Sequence, residues 1–214
     1  MASPDAAAAV FLEDQALRDG LQMEARQLST DQKRRFFKLL ARAGFARVQV
    51  GAFVHPGKVP QMADTDELVR ALLKAAIPGT VISALVLNGR GLDRALASRV
   101  SHVTLSASLS DIHSRKNAGR PAEVALDEMA VLVARARSAG LAARVGLQCV
   151  FGCGYEGEFA EEKVLAAAGR LATAGAGEIN LADTTGMANP RSIRRMMGRL
   201  HGAFPGMRFS LHLH

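Results

Sequence analysis

The chain has 214 residues, 49% of them hydrophobic and 22% charged, which suits one sizeable globular domain and excludes a disordered polymer. No run approaches the roughly 20 apolar residues of a membrane span, and Met1–Ala9 lacks the basic start and apolar core of a secretory signal, so a cytoplasmic protein is expected. The formal charge of +7 comes from scattered Lys and Arg with one Tyr and no Trp to stack bases; it excludes a nucleic-acid platform and is compatible with a polyanionic small molecule or a solvated surface.

In chain order, the pattern opens with a short apolar strand at Val10–Glu13, followed by the loop Arg18-Asp19-Gly20-Leu21-Gln22. Ser29 with Gln32 forms a capping box, and Phe36, Leu39, Leu40 and Ala43 then fall on one predicted helical face. That helix stops at Ala43-Gly44-Phe45, and the same stop recurs at Ala139-Gly140-Leu141 and Ala174-Gly175-Ala176, each glycine free to take the left-handed conformation that ends a helix. Further strands are predicted at Arg47–Gly51, Thr80–Val86, His102–Ser106, Ala142–Val150, Glu178–Ala182 and Arg208–Leu213. Asn189 and Pro190 start a helix with apolar positions at Ile193, Met196, Met197 and Leu200. Cys149 and Cys153 stand alone, neither a disulfide framework nor a zinc set, and read as buried thiols.

Strict alternation of strands and helices predicts a parallel sheet with helical crossovers. Seven strands without a Gly-x-Gly-x-x-Gly loop favour an α/β, TIM-type (β/α) barrel over a Rossmann sheet. A full barrel has eight strands, so this one is expected to be incomplete at its C-terminus: a single domain over 1–214, a fragment lacking the last βα unit.

Reactive groups in such barrels sit at the C-terminal strand ends. There the sequence offers Arg18 and Asp19 after the first strand, Gln49 on the second, Arg144, Gln148 and Cys149 on the fifth, Asp183 after the sixth, and His212 and His214 at the seventh. Histidines two apart on a strand share a face and can bind one ion; two half-buried histidines at an ordinary strand end are the competing reading. Asp19 supplies context, since an almost closed barrel brings the first strand near the seventh. A carboxylate with two imidazoles and open positions suits Mg²⁺, Mn²⁺ or a related divalent ion.

Arg18-Asp19-Gly20-Leu21-Gln22 resembles a signature of the hydroxymethylglutaryl-CoA lyases, within the metal-dependent lyase, acyltransferase and carboxyltransferase barrels. The likeness continues through Phe53-Val54, Val59-Pro60-Gln61-Met62, Lys116-Asn117, Gly152-Cys153-Gly154-Tyr155-Glu156-Gly157, Asp183-Thr184-Thr185-Gly186 and the final His-x-His.

The resemblance implies Asp19, His212 and His214 as metal ligands, and Arg18 as the cation that polarises the substrate carbonyl. It implies a catalytic set of Arg18, Gln22 and Asp183, substrate contacts from Arg18, Gln49 and Arg144, and a Mg²⁺ or Mn²⁺ cofactor. A fourth ligand, an asparagine, and a proton-donating loop cysteine would lie beyond His214. Arg144 could instead pair with an acid such as Asp183. The implied reaction is cleavage of 3-hydroxy-3-methylglutaryl-CoA or a related 3-hydroxyacyl-CoA to an acyl-CoA and a keto acid. The alternatives are a condensing enzyme, a carboxyltransferase or an idle metal-binding barrel fragment. An acyl-CoA is the expected partner, nucleic acid and membrane are not, and a homodimer is the assembly to test. One departure stands out: the lyases resembled carry a glutamate where this chain has Gln49, which cannot hold negative charge or take a proton.

Overall fold

A computed structural model describes residues 10–214, so the expectation for Met1–Ala9 lies outside the described residues. Seven strands, β1 (Glu13–Asp14), β2 (Arg47–Ala52), β3 (Val81–Val86), β4 (His102–Ser108), β5 (Ala142–Gln148), β6 (Glu178–Ala182) and β7 (Arg208–His212), form one parallel sheet in sequential order. Between them run α1 (Thr30–Arg42), α2 (Thr65–Ala75), α3 (Gly89–Ser98), α4 (Asp111–Ala118), α5 (Ala122–Ser138), α6 (Glu161–Thr173) and α7 (Pro190–Ala203). This is the incomplete TIM-type barrel that the alternation predicts: the sheet curls until side chains of β1 and β2 meet those of β5 and β6 across its interior.

Each strand alternates, and the alternation sorts two environments. Val48, Val50, Ala84, Val103, Leu105, Val145, Leu147, Ile179 and Leu181 face the helices and join their apolar faces in one buried core. The opposite faces are polar and line the lumen.

The boundaries follow local chemistry. Ser29 and Gln32 close the expected capping box, with Gln32 N donating to Ser29 Oγ at 3.3 Å and Ser29 N to Gln32 Oε1 at 2.9 Å. Gly44, Gly140 and Gly175 all take positive φ, at 87°, 70° and 94°. Asn189 caps α7, whose Met196 and Leu200 are buried.

Two expectations shift. Pairing with β2 begins only at Glu13, because Val10, Phe11 and Leu12 are exposed and unpaired, so β1 is two residues long. The buried face of α1 is Lys33, Phe37 and Leu40, while Leu39 is largely exposed. Lys33 is tolerated inside because its ammonium donates to Gln61 O at 2.6 Å and pairs with Asp64.

Candidate active site

The residues after β1 do not run on into an α-helix. Asp14 Oδ1 accepts from Ala16 N at 2.9 Å, and the carbonyl of Gln15 then receives the N–H groups of Arg18 (3.0 Å), Asp19 (2.7 Å) and Gly20 (3.4 Å). The result is one wide π-type turn over Ala16–Gly20. It buries Leu17 in the core and turns Arg18 and Asp19 toward the lumen.

Arg18 is held on every side. Its Nε donates to Gln49 Oε1 at 2.5 Å, one terminal nitrogen pairs with Asp19, and the other with Gln15 Oε1. Burial pulls its pKa below the usual arginine value, opposed by the charges of Asp19 and Glu13. Asp19 meets β7 on its other side, with Oδ2 3.3 Å from His212 Nε2. That hydrogen bond, with Arg18, holds the Asp19 carboxyl below the ordinary carboxylate range. His214 completes the group, its Nε2 3.0 Å from that of His212, and the three ligand-capable atoms lie within 4.8 Å of one another.

This donor set fits a divalent cation. Ligands about 2.1 Å from an ion, at the right angles of an octahedron, are roughly 3 Å apart, the scale of these separations. The two imidazole nitrogens face each other at 3.0 Å, and a cation between them and Asp19 would take up their lone pairs. Asp19 and the histidines are half-exposed or exposed at the mouth, so open ligand positions would face a cavity of about 170 Å³.

The other expected site residues divide. Gln49 is buried beneath Arg18, and its Nε2 donates to Thr104 Oγ1 at 3.0 Å. Arg144, two residues into β5, lies low in the lumen. Its guanidinium is taken up by Glu13 (2.7 Å), Glu178 (3.3 Å) and Thr104 Oγ1 (2.8 Å), so it does pair with acids, though not with Asp183. Asp183 is buried in the turn after β6, where Oδ1 accepts from Met187 N (2.8 Å) and Ala188 N (3.1 Å); it shapes that loop and does not line the cavity. Gln22 is exposed beyond the turn and is not among the cavity residues. The structure thus gathers Arg18, Asp19, Gln49, His212 and His214, keeps Arg144 at the base of the same cavity, and leaves Gln22 and Asp183 outside.

Sequence reasoning passed over Gln15 and Thr104. Gln15 could have been found from its place one helical turn before Arg18, and Thr104 from the inward alternation His102, Thr104, Ser106 on β4. Both cysteines are free and buried, as expected; burial pushes the Cys149 thiol up to about 11, which suits a packing residue.

Fold and mouth together define the class: a TIM-type barrel whose C-terminal rim gathers a carboxylate, two imidazoles and a half-buried guanidinium. Within that class the chain belongs to the HMGL-like family, whose pattern matches residues 9–214, and its relatives named as lyases support a lyase enzyme. It is 36% identical to the (R)-citramalyl-CoA lyase of Chloroflexus aurantiacus, covering 96% of this chain and 68% of that one. The crystal structure of the Bacillus subtilis HMG-CoA lyase superposes with a TM-score of 0.90 at 31% identity, over 96% of this chain and 68% of that one. An HMG-CoA lyase from Acinetobacter baumannii, solved with coenzyme A and 3-methylmalate, gives 0.89 at 26% identity, over 95% and 66%. The chain spans about two thirds of the length of each.

Proposed function

We propose that the chain is a divalent-metal-dependent carbon–carbon lyase, acting on 3-hydroxy-3-methylglutaryl-CoA or a close 3-hydroxyacyl-CoA such as citramalyl-CoA, the substrate named for its 36% identical relative. One observation carries the reading: Asp19, His212 and His214 converge beside the guanidinium of Arg18 at the rim of the lumen. Mg²⁺ or Mn²⁺ held there would acidify and orient the substrate's tertiary hydroxyl.

The protein's own groups supply the electrostatics. In a retro-aldol or retro-Claisen cleavage the hydroxyl gives its proton to a base and becomes the carbonyl of the keto acid as the adjacent carbon–carbon bond breaks toward an enolate of the thioester. Arg18 sets a fixed, desolvated positive charge where that oxygen becomes negative, and its three hydrogen bonds mean little reorganisation is needed when the charge develops. Neutral Gln49 matters here: it orients Arg18 without cancelling its charge. Above the floor the cavity offers Gln148 and Thr184 as polar groups within which a substrate carboxylate could lie.

The test is direct. The purified protein with Mg²⁺ or Mn²⁺ is given 3-hydroxy-3-methylglutaryl-CoA and citramalyl-CoA in turn, and acetoacetate or pyruvate is measured. Metal-dependent release of either keto acid is expected; none from both substrates, with bound metal verified, overturns the proposal.

A further inference from the structure

The hydroxyl of Thr104 occupies a singular place in the lumen. It accepts from Arg144 Nε at 2.8 Å and from Gln49 Nε2 at 3.0 Å, and all three residues are buried. Neither contact can be reversed at its far end. A guanidinium has no acceptor, so Thr104 must present a lone pair to Arg144. Arg18 is likewise donor-only, so Gln49 must turn its oxygen toward Arg18 and its nitrogen toward Thr104. The amide orientation therefore needs an acceptor below it, and the Thr104 hydroxyl, pinned by Arg144, supplies one.

We infer that Thr104 is a positioning residue for the reaction: it locks the Gln49 amide in the one orientation that holds the Arg18 guanidinium in the mouth. It need not touch substrate; it acts through Gln49. The functional part of this inference rests on the lyase reading, whereas the locking of Arg18 stands without it.

Thr104→Val keeps the shape and removes the acceptor, leaving Gln49 Nε2 and Arg144 Nε buried without a partner. Thr104→Ser keeps the hydroxyl. Three readouts separate positioning from a merely structural role.

The first needs no activity. In the NMR spectrum of the ¹⁵N-labelled protein, the Arg18 Nε–H, assigned from its loss in Arg18→Lys, is expected to exchange slowly with solvent. Its exchange should be at least about tenfold faster in Thr104→Val and near wild type in Thr104→Ser. Equal exchange in all three proteins overturns the inference whether or not the protein is a lyase.

The second is kinetic. With a cleaved substrate in hand, Thr104→Val should lower kcat roughly tenfold or more while the Mn²⁺ dissociation constant, by calorimetry, stays within about twofold, and Thr104→Ser should recover most of kcat. The third is a cycle with Arg18→Ala. If Thr104 acts through Arg18, adding Thr104→Val to that variant costs little more, whereas the same fold-loss in both backgrounds overturns the inference. A wild type that cleaves neither acyl-CoA defeats the lyase reading alone, and the exchange measurement still decides the lock.

Discussion

The lumen has two ends built from the same kinds of side chain, and they behave differently. At the floor, Glu13, Arg47, Arg144 and Glu178 form a closed ring in which each arginine touches both acids: Arg47 at 3.5 and 3.0 Å, Arg144 at 2.7 and 3.3 Å. Two positive charges meet two negative ones, and Ser210 adds a hydrogen bond to Glu178 at 3.0 Å, so every charge in the ring has its partner. At the mouth one guanidinium and one carboxylate meet two imidazoles whose nitrogens face each other at 3.0 Å. Charge alone does not mark a site, because both ends have it. What separates them is saturation: the floor satisfies itself, and the mouth gathers donor atoms that lack a common partner.

The sharpest way to break this contrast is to open the floor. Glu178→Ala would strip both arginines of one acid and leave buried positive charge uncompensated, so a loss of roughly 3–5 kcal/mol is expected in urea unfolding. A loss below about 1 kcal/mol would show that water reaches the ring and that the floor is not the closed system described.

The mouth should respond in binding and hardly in stability. Asp19→Ala and His212→Ala are each expected to weaken Mn²⁺ binding on the order of 100-fold, about 2.7 kcal/mol, by calorimetric titration, with unfolding midpoints close to wild type. Unaltered titration of either variant would place the cation elsewhere.

Acid should act on the floor. Burial, with Arg47 and Arg144 close by, pushes the His102 imidazole down to about 3, and its Nδ1 lies 2.9 Å from Ser83 Oγ. The unfolded chain takes up a proton near pH 6.5 that the folded chain refuses, so stability falls as pH drops from about 6.5 toward 3. Glu178 adds to this lower down: burial opposes its charge, but Arg47 and Arg144 hold it near 2, and the stability it gives above about 4.5 is lost as pH falls toward 2. Between pH 6.5 and 4.5 His102 contributes roughly 2 kcal/mol, and His113, whose imidazole burial also pushes down, acts in the same direction. His102→Asn should lessen the fall of the unfolding midpoint across that window, leaving the smaller part due to His113; a slope equal to that of wild type would assign the acid sensitivity to other groups.

Most of the fold could be read from the chain because its signals are local. Capping at Ser29 and Asn189 and the left-handed glycines 44, 140 and 175 mark helix ends within a few residues of themselves. The convergence of Asp19, His212 and His214 was legible for a different reason, since a two-residue spacing on β7 and an acid after β1 meet wherever a parallel sheet curls. Depth in the lumen was legible only in part. Arg144 and Gln148 share a strand and a face, and their order puts Gln148 nearer the mouth, but that Arg144 lies level with Glu13 of β1 and Glu178 of β6, and so is taken up by them, depends on the stagger of the strands. Nor could the sequence show that Asp183 turns back to cap its own loop, because an acid after a strand end reads alike whether it faces substrate or two backbone amides.

Gln49 is the seam between the two ends: its oxygen serves Arg18 above and its nitrogen serves Thr104 below. Gln49→Glu is the smallest perturbation that crosses the seam. The fold should tolerate it, because the Thr104 hydroxyl can turn its hydrogen toward the new carboxylate while still accepting from Arg144. Arg18, however, would face a second carboxylate besides Asp19, and its attraction for negative charge developing on a substrate would weaken. The expected result is a fall of a few-fold, under about 1 kcal/mol, in kcat/KM for 3-hydroxy-3-methylglutaryl-CoA or citramalyl-CoA, since both form the same thioester enolate, with the unfolding midpoint little changed. If both constants stay at wild-type values, the charge at position 49 does not reach the substrate, and Gln49 belongs with the self-satisfied floor rather than with the mouth.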